Sequence, residues 1–404
     1  MEVGRADPRR RGRSASPLVQ LAGRVRTVEV GRAGTLMDML RQRTDGIGLG
    51  RGDPDLPTPD HIVAAGQDAL ARGLTRYTPL PGLPELRQAV ADKLRRDNGI
   101  EADPDTEVVI TTGTQEAVFV ALCALLDTGD EILLADPYYN SYATMLHYLG
   151  AALVAVPTSA ADGFQIDPDE FERRITPRTK AIALLTPNNP TGAVYPRDRL
   201  QGIARVAERH GLYVISDELY ETVVFEGRPF SIASMPGMRD RTITINGFSK
   251  AYSMTGWRVG YLAGPRAAVD ALVTLRHTLT ICAPTMSQHA AVAALRGPQA
   301  CLGERLAIYR ARRDFTLARL AEAGIPCVPP QGTFYVFVDI RPSGLSSEEF
   351  AFTLMEREGV FVYPGGYFGR RGEGFERISL VVREPELGEA IERMARVMRR
   401  PRRA

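Results

Sequence analysis

The sequence predicts an α/β fold with a mostly parallel central sheet flanked by helices, followed by a smaller α+β domain at its C-terminal end. Short apolar runs of the kind buried on both faces recur at 107–110, 131–135, 152–156, 181–185, 213–216, 242–245 and 259–263. Helical patterns at 115–126, 196–210 and 265–275 lie between them, the alternation expected of a parallel sheet with crossover helices. After Gly297 the alternation gives way to a long helix, isolated strands and two further helices.

In chain order, the first 45 residues carry no strand pattern, and 36–41 reads as a short helix. The stretch 46–59 is a loop rich in Gly, Pro and Asp, where the backbone turns sharply and can approach a ligand. Helices are expected at 61–71 and 84–98, ahead of the first strand. The last part reads as a helix at 301–323, a strand at 333–339, a helix at 347–358, two short strands and a final helix at 384–399. The expected organisation is an N-terminal arm over 1–45, partly disordered and packed in part on the small domain, a large domain over 46–297 and a small one over 298–404.

The composition is that of a water-soluble globular chain: 44% hydrophobic, 24% charged, with 50 basic against 48 acidic residues and a net charge of +2. No global polyelectrolyte partner is implied. Basic residues crowd the ends, with Arg5, Arg9, Arg10, Arg11 and Arg13 at one and Arg399, Arg400, Arg402 and Arg403 at the other. Neither run has interleaved aromatics or a recognition helix beside it, so solvated tails are expected and no nucleic-acid partner. Cys123, Cys282, Cys301 and Cys327 are scattered without the paired spacing of a zinc site or disulfide framework, which suits a reducing compartment and no metal. No apolar stretch is long enough to span a membrane, and the Arg-rich start lacks the apolar core of a secretory signal; a cytoplasmic location without membrane association is expected.

Ligands of open α/β sheets sit at the carboxyl ends of strands, so the polar residues following the runs carry the most information. After 108–112 come Gly113, Thr114 and Gln115, opening a helix whose free N–H groups and dipole form an anion site, or simply start a helix. After 181–186 come Pro187-Asn188-Asn189-Pro190-Thr191-Gly192, a turn or a donor to an anionic oxygen. After 213–216 come Asp217 and, three residues on, Tyr220; a buried acid is costly unless paired with a cation. After 242–245 comes Asn246-Gly247-Phe248-Ser249-Lys250, with Arg258 eight residues on. A lysine there suits an imine to an aldehyde cofactor, with the arginine clamping its phosphate; a surface lysine is the plain alternative.

Together these segments carry a resemblance. The chain is similar to class I/II aminotransferases of the fold-type I, pyridoxal phosphate (PLP) enzymes, on the motifs Tyr77-Thr-Pro-Leu-Pro-Gly, Asn-Pro-Thr-Gly, Ser-Asp-Glu-Leu-Tyr and Ser-Lys…Gly-Trp-Arg, in family order from about Leu36 to the last helix. It resembles in particular the branch of prokaryotic aspartate and aromatic aminotransferases, on Asn-Gly-Phe-Ser-Lys and Met-Thr-Gly-Trp-Arg. The resemblance implies that Lys250 forms the Schiff base with pyridoxal 5′-phosphate and moves the Cα proton. It implies that Asp217 pairs with the pyridinium nitrogen, and that Tyr220 and Asn189 bond the ring's phenolic oxygen. Arg258 with Gly113, Thr114 and Gln115 would hold the phosphate, and Tyr139 would stack on the ring. Tyr77 would reach the phosphate in the other subunit of a homodimer with shared active sites. Arg377 would grip the substrate carboxylate, and the loop from Gly50 to Pro54, Gly52 included, would lie on the substrate side. Amino acids and 2-oxo acids would be the substrates, with 2-oxoglutarate or pyruvate as acceptor.

Three positions depart from the aspartate-specialist pattern. Tyr139 stands where many such enzymes carry Trp, Gln115 replaces a basic or hydroxylated residue, and Gly247 stands where several relatives place a phosphate-binding Ser. The substrate side chain is therefore left open between aspartate-like, aromatic-like and broad use. Arg276 and His277 are candidate side-chain readers or plain helix residues. Two other readings stay open: a β-lyase or oxygen-dependent oxidase on the same scaffold, and a PLP-binding regulator without turnover, for which the region before the large domain is short and unpatterned.

Overall fold

The computed structural model describes residues 22–27 and 31–399. Apart from Arg399, the arginine-rich ends lie outside the described residues, as does most of the arm expected to be disordered.

Seven strands form the central sheet: β1 (Val108–Thr111), β2 (Glu131–Asp136), β3 (Ala152–Pro157), β4 (Thr179–Leu185), β5 (Tyr213–Asp217), β6 (Thr242–Gly247) and β7 (Gly260–Ala263). Their order is β1-β7-β6-β5-β4-β2-β3. The pairs from β6 to β3 are all parallel, and β7 runs antiparallel to both of its neighbours. The central strands are buried almost throughout because helices cover both faces, which is why they read as unbroken apolar runs rather than alternating ones.

The main helices are α1 (Ala33–Arg41), α2 (Asp60–Ala71), α3 (Pro84–Lys93), α4 (Thr114–Leu125), α5 (Ser141–Leu149), α6 (Arg197–His210), α7 (Arg266–Thr280), α8 (Thr285–Arg296), α9 (Ala300–Glu322), α10 (Ser347–Glu358) and α11 (Glu384–Met398). Two apolar clusters sandwich the sheet, one built on Val109, Ile132, Ile215 and Ile245, the other on Leu133, Ile182, Leu184 and Val214. A second sheet, β8 (Cys327–Val328), β9 (Tyr335–Asp339), β10 (Tyr363–Pro364) and β11 (Phe375–Ser379), is ordered β10-β11-β9-β8 and antiparallel. Its core takes in Leu36, Ile47 and Leu49 from the N-terminal part, and Ile47–Gly48 pairs in parallel with Val360–Phe361. The α10 start carries a capping box, Ser346 and Glu349 satisfying each other's backbone N–H groups.

Three local departures from the sequence reading have physical causes. The helix expected over 84–98 is α-helical only to Lys93; Leu94–Asn98 is a π turn closed by Gly99 in the left-handed region, φ 67°. The strand expected from 333 starts at Tyr335, since Thr333 sits at φ 64°, outside the strand region. The helices α5 and α8 have no counterpart in the sequence reading; their short patterns fall between turn-forming residues.

One ion pair ties the Gly/Pro-rich loop to the rest. Arg312 on α9 donates to both oxygens of Asp55, each at 2.8 Å, and to the carbonyl of Leu380 at 2.9 Å, just beyond β11. Replacing it by Met leaves a carboxylate and a carbonyl short of donors. Arg312→Met is expected to lower stability by about 2 kcal/mol, read from urea unfolding of both proteins; an unchanged midpoint contradicts this role.

Candidate active site

The carboxyl edge of the sheet borders a cavity of about 940 Å³. Into it the strand ends deliver most of the residues singled out in the sequence. Asp217 is the last residue of β5, and Lys250 lies three residues beyond β6, its neighbour in the sheet. The antiparallel β7 is what brings Arg258 to the same edge, because Gly260 pairs with both Thr111 and Gly247, the last residues of β1 and β6. Arg258 itself adopts φ 52°, an uncommon conformation for a residue with a side chain.

Around Arg258 the chain forms a cradle for an anion. Gly113, at φ 76°, caps α4; a Cβ there would lie 2.5 Å from an Arg258 guanidinium nitrogen. Arg258 Nη1 donates to the Thr255 carbonyl at 2.8 Å, and Thr114 and Gln115 line the cavity beside it. A helix N-terminus and an arginine without a carboxylate partner among the described residues converge here, the donor set for a phosphate. Gly247, where a serine hydroxyl is missing, is enclosed: a Cβ would meet Thr114 Cγ2 at 2.9 Å and Gly260 Cα at 3.2 Å. No hydroxyl from position 247 fits this backbone, while Ser249 lines the cavity instead.

Lys250 and Asp217 keep some surface toward the cavity but are walled in by protein. Lys250 Nζ donates to the Gly52 carbonyl at 2.5 Å, and burial lowers its pKa from 10.5 to about 8. Asp217 accepts only the Leu219 N–H, at 3.3 Å, with no cation beside it among the described residues, and burial raises its pKa from 3.8 to about 6. An unpaired buried carboxyl aimed at a cavity fits a cationic ligand group.

Arg377, on β11, faces the cavity from the other side. Its Nη1 donates to Asn189 Oδ1 at 2.8 Å and its Nη2 to the Gly50 carbonyl at 2.9 Å. Rings of Tyr335, Tyr363 and Phe368 surround the guanidinium at 4.1, 4.9 and 4.9 Å. Both hydrogen-bond acceptors are neutral, so the charge is left for an incoming anion. Asn189 thereby has its oxygen occupied and its amide N–H groups to spare. Tyr220 bonds the Tyr335 hydroxyl at 3.1 Å, and burial holds its pKa well above the usual value, keeping the phenol neutral. Tyr139 lines the wall, its hydroxyl 3.4 Å from Gln115 Oε1.

Gly52, Thr114, Gln115, Tyr139, Asn189, Asp217, Tyr220, Lys250, Arg258 and Arg377 thus share one cavity, with Gly113 behind Arg258. Tyr77 does not join them; it is 77% exposed on this chain. Arg276 is fully buried and bonds the Leu80 carbonyl and Glu116, so the helix-residue reading holds for it rather than the substrate-reading one. The sequence reading missed Tyr335 and Tyr363. Neither carries a periodic signal: Tyr335 lies in β9, where every residue is buried, and Tyr363 in the two-residue β10; the register that sets Tyr335 opposite Ser379 and Tyr363 opposite Arg377 places them.

Residues 44–394 match the family of class I and II aminotransferases, and the chain belongs to that family. It is 41% identical to an aromatic-amino-acid aminotransferase of Thermococcus litoralis over 94% of this chain and 98% of that one. To an aspartate/prephenate aminotransferase of Thermus thermophilus it is 41% identical over 90% and 94%. The crystal structure of an aromatic aminotransferase from Pyrococcus horikoshii superposes with a TM-score of 0.86 at 42% identity, covering 90% of this chain and 98% of that one. The protein is an aminotransferase, of a family that is generally PLP-dependent.

The two perturbed groups have opposite consequences for stability with pH. Asp217's raised pKa contributes stability that is fully present below 3.8 and lost as pH rises through about 6. Lys250's lowered pKa contributes stability that is present above 10.5 and lost as pH falls through about 8. Near neutrality both groups are unfavourable in the cofactor-free protein. Asp217→Asn is therefore expected to stabilise that form by on the order of 2 kcal/mol at neutral pH, with the gain vanishing as pH falls toward 4. Denaturation at several pH values checks this; a pH-independent effect contradicts it.

Proposed function

We propose that the enzyme moves an amino group from an L-amino acid to a 2-oxo acid, with pyridoxal 5′-phosphate carried on Lys250. The observation that supports this best is the pairing of a desolvated lysine with an unpaired buried acid at adjacent strand ends of one cavity that also holds the guanidinium groups of Arg258 and Arg377, which bond only neutral acceptors. When bound, the cofactor supplies a cationic ring that accepts the electron pair left by a broken Cα bond.

Each residue then has a task. Lys250 would hold the cofactor through Nζ and would serve as the base for the Cα proton; a pKa of about 8 leaves a usable fraction of neutral amine at neutral pH. Asp217 would pair with the ring nitrogen and favour its protonated form, which would offset the cost of its own burial. Arg258 and the Gly113, Thr114 and Gln115 segment hold the phosphate. Tyr220 and Asn189 would donate to the phenolic oxygen, and Tyr139 would pack against the ring. Arg377 grips the substrate carboxylate with two nitrogens. A substrate held by its carboxylate at Arg377, beside a cofactor held at Arg258, would be oriented with its Cα proton within reach of Lys250.

The second subunit of a homodimer would bring Tyr77, whose ring is solvent-exposed on the single chain, to the neighbouring phosphate site. Residues 46–297 would form the cofactor-binding domain, and 298–404 a smaller one packed with part of the N-terminal arm. The substrate side of the cavity combines Met37, Phe361 and Tyr139 with Arg41 and Arg51. That mixture of apolar wall and cations supports aspartate-like, aromatic-like or broad use, in keeping with the names of the relatives, with 2-oxoglutarate or pyruvate as acceptor. Among the described residues no helix is long and apolar enough to cross a membrane, in keeping with work in the cytoplasm.

The test is a panel of amino acids mixed with the cofactor-loaded enzyme under anaerobic conditions. Stoichiometric 2-oxo acid, with the cofactor left in its amine form and restored by 2-oxoglutarate, supports the reading. Ammonia release, or a requirement for oxygen, contradicts it. Lys250→Ala is expected to lower turnover by at least about 10³-fold. Arg377→Ala is expected to raise the amino-acid KM by about 30- to 100-fold, for the loss of about 2–3 kcal/mol of charge-assisted hydrogen bonding; an unchanged KM removes the carboxylate role.

A further inference from the structure

A second group of polar side chains, none of which lines the cavity, gathers beside the same strand ends. Lys93, Glu218 and Asn246 are buried, Glu221 is nearly so and Asn98 is half-buried. The π turn that follows α3 assembles them. In an uninterrupted α-helix a residue five positions on points about 140° away around the axis. Here the wider turn returns Asn98 to Lys93, whose Nζ donates to Asn98 Oδ1 at 2.6 Å.

The Asn98 amide then ties together two side chains of the segment that carries Asp217. Its Nδ2 donates to Glu218 Oε2 at 3.0 Å and to Glu221 Oε2 at 2.7 Å. Glu218 directly follows Asp217. Its other oxygen is fixed by the hydroxyls of Ser216 and Ser231, both at 2.7 Å, and its N–H donates to Ile245 of β6 at 2.9 Å. Glu221 accepts from Lys93 and, at 2.7 Å, from Asn246 Nδ2; Asn246 Oδ1 in turn accepts the Gly247 N–H at 2.7 Å. Gly247 begins the turn to Lys250 and packs against Thr114 of the anion cradle. Glu221, held by the Asn98 amide, thus connects the backbone that carries Asp217 to the backbone that carries Lys250.

We propose that Asn98 is a positioning residue: through Glu218 and Glu221 it fixes the spacing between Asp217 and the Lys250 turn. The proposal rests on the reading that these two residues hold the cofactor. Burying an ammonium, two carboxyls and two amides is costlier than filling the space with apolar side chains. What the polar arrangement supplies, and apolar packing does not, is directional contact to both segments at once. A loosened spacing spoils the simultaneous fit of ring nitrogen and aldehyde while leaving Arg377 untouched.

The experiment titrates cofactor-free Asn98→Leu and wild-type protein with pyridoxal 5′-phosphate. It also follows the bound cofactor's visible absorbance against pH, and reduces each loaded protein with borohydride to map the labelled residue. Asn98→Leu is expected to raise the cofactor Kd at least about tenfold and to move the absorbance midpoint by at least about half a pH unit, with label still at Lys250. A Kd within about twofold of wild type and an unmoved midpoint, whatever the loss in thermal stability, overturn the proposal while the cofactor reading stands. Label absent from Lys250 in the wild type overturns both. Should Asn98→Leu fail to fold, Glu221→Gln serves: it keeps the shape and Asn246's acceptor but removes the charge facing Lys93 and the oxygen that accepts from Asn98. A smaller shift of both readouts supports the proposal, and no shift in either overturns it.

Discussion

Desolvation of two ionisable groups on neighbouring strand ends is the constraint on which the rest of the site depends. Asp217 has no cation beside it among the described residues and Lys250 no carboxylate bonded to it, and burial pushes each toward its neutral form. A fold does not gain stability from such a pair. Under the proposed function the pair would become favourable once a ligand brought a proton-bearing ring to the one and an aldehyde to the other. The surrounding structure keeps both groups largely buried and fixed: the helices that cover the sheet, the loop tied down by Arg312 and the aromatic wall around Arg377.

The direction of a single strand decides how the anion cradle is built. Were β7 parallel to its neighbours, its leading residue would lie at the far edge of the sheet and Arg258 with it. Its antiparallel insertion between β1 and β6 brings Arg258 against Gly113, where there is no room for a side chain. The same crowding explains the glycine at 247, so the departure at that position follows from backbone packing.

Much of this was legible in the sequence, and what was not has a common cause. The parallel strands announced themselves as apolar runs, and the residues after them, Asn189, Asp217, Lys250 and Arg258, fall where an α/β sheet presents its chemistry. Arg377 was legible only by resemblance, since an arginine in a buried strand has no local signature of its own. Tyr335 and Tyr363 escaped because their place depends on β-register across the second sheet. The π turn at Leu94–Asn98 escaped because its cause is tertiary: the polar contacts of Lys93 and Asn98 reach residues more than a hundred positions away.

The most direct measurement is a cycle with two ligands and two proteins: pyridoxal 5′-phosphate and its analogue with carbon in place of the ring nitrogen, each titrated into wild type and Asp217→Asn. The charge-pairing account predicts that the wild type prefers the natural ring by at least about tenfold and that the preference falls to near unity in the variant. Equal affinity of the wild type for both ligands, or a preference that survives the substitution, would contradict it.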